Sequence, residues 1–169
     1  MSDETRWLDE EEQQHWRSFL RASRLLERTL AEDLAPLRVQ LSEYELLSML
    51  SESPGGRARM SRLADDIVQS RSRVTHTAAR LEKRGWVKRY RATGDRRGVE
   101  ISLTDAGREA LSQLASVHVQ SVRRNLLDPL SREQFAALGE AMAAVRSHLA
   151  PDHHEIGLDD QAPGPGRSL

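Results

Sequence analysis

The sequence contains no cysteine among its 169 residues. This absence excludes disulfide bonds, thiolate metal sites and thiol-based redox sensing. No apolar run approaches the ~20 residues that a membrane-spanning helix needs. The acidic N-terminus also lacks the apolar stretch of a signal peptide. We therefore expect a soluble, cytoplasmic protein with no membrane partner.

Apolar residues are also scarce, at 38% of the chain, and the mean hydropathy is −0.62. The length suits one compact domain, or one domain with helical extensions. A chain with this little apolar material is either an elongated helical molecule or one that buries apolar surface against a partner chain.

Charge is distributed very unevenly along this nearly neutral chain. The segment 57–97, called here the basic block, carries thirteen Lys or Arg and four Asp or Glu, a net charge of +9. The remaining residues carry twelve basic and 22 acidic side chains, a net charge of −10. Such a concentration of positive charge indicates a polyphosphate partner.

The N-terminal half of the chain shows helical periodicity. Apolar spacing predicts a first helix over 9–37, in which Pro36 limits the extent. A second helix is expected to open at Leu41-Ser42, with Ser42 and Glu45 as a capping box.

The basic block itself has the pattern of a helix-turn-helix followed by a hairpin. We expect a short helix over 61–68 and a second over 71–84, capped by Ser70 and closed by Gly85. Alternating residues predict strands over 86–90 and 99–103, joined by a polar, Gly-containing tip.

Two further helices are predicted after the hairpin. Thr104 caps a long helix to about Leu126, and Ser131 with Gln134 forms a capping box for the last. The last helix carries a narrow apolar seam of the kind that packs on another helix, formed by Phe135, Leu138, Met142, Val145 and Leu149.

These elements define a mainly α fold with a small β-hairpin wing. We assign a winged helix-turn-helix domain to 41–104 and a helical dimerisation region to 1–37 and 105–149. Residues 150–169, rich in Pro, Gly and acids, are predicted to be a disordered tail.

The helix over 71–84 has the composition of a major-groove reader. Val74, Ala78 and Leu81 share a face that should be buried, so polar side chains occupy the other faces. The predicted DNA-binding residues are Arg71, Ser72, Arg73, Thr75, His76, Arg80, Lys88, Arg89, Arg96 and Arg97. Of these, Arg73 and His76 are expected at base edges, and Arg71, Arg80, Lys88 and Arg89 at phosphates.

The hairpin tip carries Asp95, Arg96 and Arg97. One of the two guanidiniums is expected to enter a minor groove. A pair between Asp95 and Arg97 would stabilise the shape of the wing, although an exposed ion pair contributes only ~0–1 kcal/mol.

Taken together, the order of elements resembles the MarR family of winged-helix transcription regulators. The resemblance lies in Arg62-Leu63-Ala64, in Ser72-Arg73-Val74-Thr75, in the run from Arg80 to Val87, and in Asp95-Arg96-Arg97 followed by Leu103-Thr104-Asp105-Ala106-Gly107. It covers about residues 10–149.

The resemblance implies an obligate homodimer with interleaved first and last helices on a pseudo-palindromic operator. It also implies a repressor that releases DNA when a small aromatic or anionic effector binds. The candidate ligand pocket residues are His15, Trp16, Tyr44 and His118, because aromatic faces and titratable edges suit such compounds. Each of these residues is more often part of a core or surface than of a ligand site.

Other functions remain open from the residues alone. No Gly-rich phosphate loop, nucleophile elbow or Cys-His pair indicates an enzyme, and no cofactor is predicted. His153-His154 is the only close histidine pair, so we predict no structural metal. The main alternative is an architectural protein that binds DNA without sequence preference, and a helical adaptor for acidic proteins is a further one.

Overall fold

The computed structural model describes residues 5–92 and 98–150. Its helices are α1 (Glu10–Leu34), α2 (Leu41–Glu52), α3 (Met60–Asp66), α4 (Arg71–Lys83), α5 (Asp105–Val122) and α6 (Arg132–Leu149). Its strands are β1 (Arg57–Arg59), β2 (Val87–Arg91) and β3 (Val99–Leu103). The predicted fold class, mainly α with a small β wing, is confirmed.

The helix boundaries follow from local capping chemistry. Ser70 accepts a hydrogen bond from the Arg73 amide, and Ser131 forms a capping box with Gln134, both as predicted. The helix α4 ends at Lys83, and Gly85 follows with a φ of 74°.

The helix α2 opens at Leu41 as predicted, but its predicted capping box was wrong by two residues. The helix begins at Leu41 with Gln40 as its N-cap, and Glu43, not Glu45, completes the capping box. Glu43 accepts the Gln40 amide at 2.9 Å, whereas Glu45 accepts the side-chain amide of Gln69 at 3.2 Å. The local sequence allowed both arrangements, and contacts with distant segments selected one.

The sheet contains a third strand that the sequence pattern did not reveal. Its order is β1-β3-β2, all antiparallel. The strand β1 has three residues, too few for an alternating pattern to be recognised. It places Arg57 opposite Ser102 and Arg59 opposite Glu100, so the base of the hairpin is joined to the residues that precede α3.

The core of the described chain lies between α2, α4, the sheet and the middle of α5. Leu46, Leu47, Leu50, Leu63, Val74, Leu81 and Ile101 are all fully buried. By contrast, α6 makes no substantial contact with any other described element, and among its residues only Leu138 is even half-buried. None of the described helices is long and apolar enough to cross a membrane.

The junction between the sheet and α5 depends on a close backbone approach at Gly107. Thr104 donates its amide to the Trp86 carbonyl at 3.0 Å and its hydroxyl to the Gly85 carbonyl at 2.6 Å. Its hydroxyl also accepts the Gly107 amide at 3.0 Å. A Cβ on Gly107 would lie 2.0 Å from the Trp86 carbonyl oxygen, so only glycine fits there without displacement of the backbone.

The variant Gly107→Ala should therefore lower the free energy of unfolding by about 1–3 kcal/mol, although alanine is the better helix former. Urea unfolding followed by circular dichroism measures this change. The control is Ala106→Ser at the preceding, exposed position, for which we expect a change within about 0.5 kcal/mol. Equal stability of Gly107→Ala and the parent protein would contradict the close approach.

Candidate nucleic-acid interface

The helix α4 presents two contrasting faces. Val74, Ala78 and Leu81 are fully buried, as predicted, and Thr77 is 4% exposed beside them. The buried face packs on α2 and α3. Because this face is anchored, the opposite face and the N-terminal turn project into solvent.

The exposed side of α4 carries most of the residues predicted to bind DNA. Arg71, Ser72, Arg73, Thr75 and His76 are all exposed. The Thr75 hydroxyl donates a hydrogen bond to the Arg71 carbonyl at 2.7 Å. Within the described part of the chain, the side chains of Arg71, Arg73 and His76 have no hydrogen-bond or ion-pair partner. These three are therefore available to a ligand.

A cavity connects the start of α4 with the base of the wing. Its volume is about 380 Å³, and its lining includes Arg59, Arg71, Thr75 and Arg89 together with Met60 and Val99. Three predicted DNA-binding residues from two elements therefore converge on one concave, positively charged surface.

Two of the predicted phosphate contacts, Arg80 and Arg89, also bind carboxylates within the chain. Arg80 donates from Nε to the Glu43 carboxylate at 3.1 Å and from a terminal nitrogen to the Gln40 side-chain oxygen at 2.8 Å. Arg89 donates its amide and its Nε to the two oxygens of Glu82 at 3.0 and 2.8 Å. These hydrogen bonds hold the pKa of the Glu82 carboxyl below its usual range.

The outer strand of the wing carries a different kind of cluster. Tyr90 has Arg57 at 5.2 Å and Lys88 at 5.5 Å from its ring centroid, within the range of cation–π attraction. Arg57 also donates from Nε to Glu100 at 2.6 Å. The pattern of residues did not identify Arg57 or Tyr90, because their meeting requires the β1–β3 pairing. Asp95, Arg96 and Arg97 lie outside the described residues.

The four candidate pocket residues do not all come together in this chain. Tyr44 and His118 do, with ring centroids 4.2 Å apart. Trp16 stacks on Phe19 and is 50% exposed, and His15 is also exposed. Asp33 of α1 accepts a hydrogen bond from Ser121, which lies one turn from His118 in α5. Trp16 precedes Asp33 by 17 residues in the same helix, a distance of about 25 Å. Trp16 is therefore far from His118.

Burial dominates the chemistry of the Tyr44–His118 pair. Tyr44 is 8% exposed and belongs to the core, and burial raises the pKa of its hydroxyl. Burial also lowers the pKa of His118, whose buried Nδ1 has no hydrogen-bond partner in the described structure.

A separate groove of about 550 Å³ runs along α5. The residues that line it include Ser51, Arg108, Leu111, Ala115 and Val119.

Glu45 of α2 is a half-buried carboxylate whose pKa is affected by charges on α1 and α4. Burial raises its pKa, the charge of Glu27 on α1 raises it further, and Arg73 on α4 lowers it. In the described ranges no cluster of three or more His, Asp or Glu residues is arranged to hold a metal ion.

A three-helix core with a sheet of this order, and a helix that exposes a basic face beside the sheet, define a winged helix-turn-helix DNA-binding protein. Comparison with known proteins gives the particular family. A model of the MarR family matches residues 39–99. The chain is 30% identical over 130 residues to the HTH-type transcriptional regulator PecS of Dickeya dadantii (strain 3937), an alignment that covers 76% of this chain and 78% of PecS.

Two further proteins are similar. The transcriptional repressor MprA of Escherichia coli (strain K12) is 31% identical, over 49% of this chain and 58% of its own length. The crystal structure of Sco3205, a MarR family transcriptional regulator from Streptomyces coelicolor in complex with DNA, is 43% identical with a TM-score of 0.83, over 92% of this chain and 98% of that one. The chain belongs to the MarR family and is a transcriptional regulator.

The buried His118 predicts a dependence of stability on pH. A pKa below the unfolded value of about 6.5 means that the unfolded chain binds more protons than the folded one. The free energy of unfolding should thus fall as the pH drops from 7.5 to 5.5.

Melting temperatures of the wild type and His118→Phe at the two pH values measure this contribution, since phenylalanine keeps a ring against Tyr44 but does not titrate. We expect the variant to lose less stability on acidification than the wild type, because its side chain at position 118 takes up no proton on unfolding. His76→Phe, on the exposed face of α4, is the control. Identical losses in wild type and His118→Phe would refute the assignment.

Proposed function

We propose that this regulator is a homodimeric repressor that binds a pseudo-palindromic operator in double-stranded DNA and is released by a small effector. The observation that carries the proposal is the exposed face of α4, where Arg71, Arg73 and His76 project from a helix whose opposite face is fully buried. The similarity to a MarR family structure in complex with DNA and to the repressor MprA supports the same function.

The roles of the residues divide by chemistry. Arg73 and His76 read base edges in the major groove, where an arginine can bond guanine in a bidentate way. Arg71 and Lys88 contact phosphates, whereas Ser72 and Thr75 lie beside the arginines of α4 and favour base reading over pure phosphate contact. From the sequence alone, Arg96 or Arg97 is assigned to the flanking minor groove, and Asp95 is assigned to stabilise the wing by pairing with Arg97.

The dimer is supported by apolar surface that one protomer leaves uncovered. In α6, Phe135, Met142 and Val145 are 40%, 37% and 49% exposed, and in α1 Trp16 and Phe19 are 50% and 42% exposed. A second copy would bury both surfaces and place two copies of α4 at a set spacing, as two half-sites one helical turn apart require. It would also be the means by which His15 and Trp16 approach a ligand beside Tyr44 and His118 of the other protomer.

An effector site is also proposed in the separate groove along α5. The groove along α5 has a volume typical of small-molecule sites, and Arg108 gives it a cation for an anionic group. A small aromatic or anionic compound that binds there would change the packing of α5 and thus the spacing of the reading helices.

The first test is a footprint of the purified protein on the DNA that flanks its own gene, at two salt concentrations. A protected palindrome that persists at the higher salt supports a sequence-specific repressor. Uniform protection that vanishes with salt would support the architectural alternative instead. Absence of binding at low salt would favour the adaptor.

Two variants separate base reading from phosphate contact. Arg73→Ala should weaken operator binding about 10-fold or more and leave random DNA nearly unaffected, since one good base pair contact contributes ~1–3 kcal/mol. Lys88→Ala should weaken both DNAs alike and reduce the slope of log K against log salt by about 1. Fluorescence anisotropy across a salt series measures both. Indistinguishable behaviour of the two variants would show this division of roles to be wrong.

Light scattering tests the dimer. We expect a mass near twice 19.1 kDa for the wild type at micromolar concentration, and a shift toward the monomer for Met142→Glu, because a charge in an apolar seam is costly to bury. Glu140→Gln, on the opposite side of α6, should leave the mass unchanged. A monomeric wild type would refute the proposed assembly.

A further inference from the structure

A buried carboxylate, Glu43, lies in the first turn of α2 and contacts Arg80 of α4. Glu43 is 2% exposed. Both of its oxygens are used: one accepts the Gln40 amide at 2.9 Å, and the other accepts Nε of Arg80 at 3.1 Å. A polar group this deeply buried is costly without hydrogen-bond partners, and removal of one partner leaves the other uncompensated.

Arg80 is the other half of this arrangement. Besides Glu43, it donates to the Gln40 side chain at 2.8 Å and to the Thr77 hydroxyl at 3.3 Å. It lies one turn after His76 and two turns after Arg73 in α4, so it borders the face that carries the proposed base readers. A planar guanidinium held at several points has a defined orientation, which a flexible ammonium does not.

The consequence for α4 is a restraint on rotation about its own axis. Apolar packing of Val74, Ala78 and Leu81 buries one face but tolerates small rotations, since dispersion contacts are not directional. Side-chain tips lie about 5–6 Å from a helix axis, so a rotation of about 20° moves them by about 2 Å. Such a displacement breaks a hydrogen bond to a base edge, while a phosphate contact can adjust.

A second restraint acts at the end of the helix. Glu82, the penultimate residue of α4, accepts the Arg89 amide and Nε from β2. This pair attaches the wing strand to the helix, whereas Glu43 attaches the helix to α2. Glu82 therefore joins α4 to the wing, and Glu43 joins α4 to α2. Of the two, Glu43 is the one that contacts a residue beside Arg73 and His76.

We propose that Glu43 is a positioning residue for DNA recognition, which acts through Arg80 to set the rotation of α4 so that Arg73 and His76 meet base edges. In this assignment Arg80 binds Glu43 and Gln40 and makes no phosphate contact, contrary to its role predicted from the sequence. The inference rests on the proposed base-reading function of α4.

The test compares Glu43→Gln, Arg80→Gln and the double variant on the footprinted operator and on random duplex, across a salt series. An amide offers one acceptor oxygen where the carboxylate uses two, so Glu43→Gln keeps the shape and loses one bond. We expect each single variant to lose about 10-fold or more on the operator and less than about 2-fold on random DNA. The salt slope should not change, and the double variant should lose no more than the weaker-binding single one.

Two controls keep the result interpretable. Glu52→Gln makes the same charge change at an exposed position of α2 and should bind like the wild type. Arg80→Lys keeps the charge but cannot hold Glu43 and Gln40 together, so we expect an operator defect close to that of Arg80→Gln. It also serves if Glu43→Gln fails to fold, and melting curves taken beside the binding data establish the folded fraction of each variant.

Three outcomes would overturn the assignment. A drop of about 1 in the salt slope of Arg80→Gln on both DNAs, with Glu43→Gln unaffected, would identify Arg80 as a phosphate contact. Equal losses on operator and random DNA that follow the melting temperature would show a purely structural role. Operator binding by Arg80→Lys like that of the wild type would show that charge alone suffices. A wild type without operator preference would instead refute the proposed function itself, which the parent footprint reveals separately.

Discussion

The burial of one face of α4 is the interaction on which the rest of this structure depends. Val74, Ala78 and Leu81 lose all contact with water, and three side chains of this size contribute several kcal/mol at about 25 cal/mol per Å² of apolar surface. Because that face is packed in the core, the orientation of the helix is fixed and its other faces are exposed to solvent. The helix period of 3.6 residues places His76 opposite the buried positions, and Arg71 and Arg73 are exposed in the first turn.

The arginines of the basic block differ in function according to their partners. Arg80 and Arg89 have carboxylates within hydrogen-bond distance, from Glu43 and Glu82. Arg71 and Arg73 have no such partner among the described residues. Net charge supplies long-range attraction to a polyphosphate, but the paired arginines add geometry, because a guanidinium held by two acceptors restrains the element that carries it.

The described part of the chain also leaves a large share of its apolar surface uncovered. The seam of α6 and the aromatic residues in the first half of α1 remain exposed, while the core is concentrated around α2 and α4. This separation explains how a chain with 38% apolar residues still forms a well-packed winged domain. The same apolar residues that would be missing from a larger single core are placed where a second chain can cover them.

Local interactions determined what the sequence by itself could show. Helix caps at Ser70, Thr104 and Ser131 involve residues three positions apart, and the buried stripe of α4 repeats within four, so both can be read from neighbouring letters. The run Leu-Thr-x-x-Gly indicated a family, and the structure adds its reason, the contact of Gly107 with the Trp86 carbonyl.

Only the tertiary structure decided the pairings between distant residues. Arg80 lies 37 positions from Glu43, and Arg57 lies 43 from Glu100, and no local pattern distinguishes these partners from the other acids in the chain. The same holds for the cap of α2, where the contact of Glu43 with Arg80 and of Glu45 with Gln69 selected Gln40 over Ser42. A short-range signal states what each residue is able to bind, whereas the packed core determines which partner comes within hydrogen-bond distance.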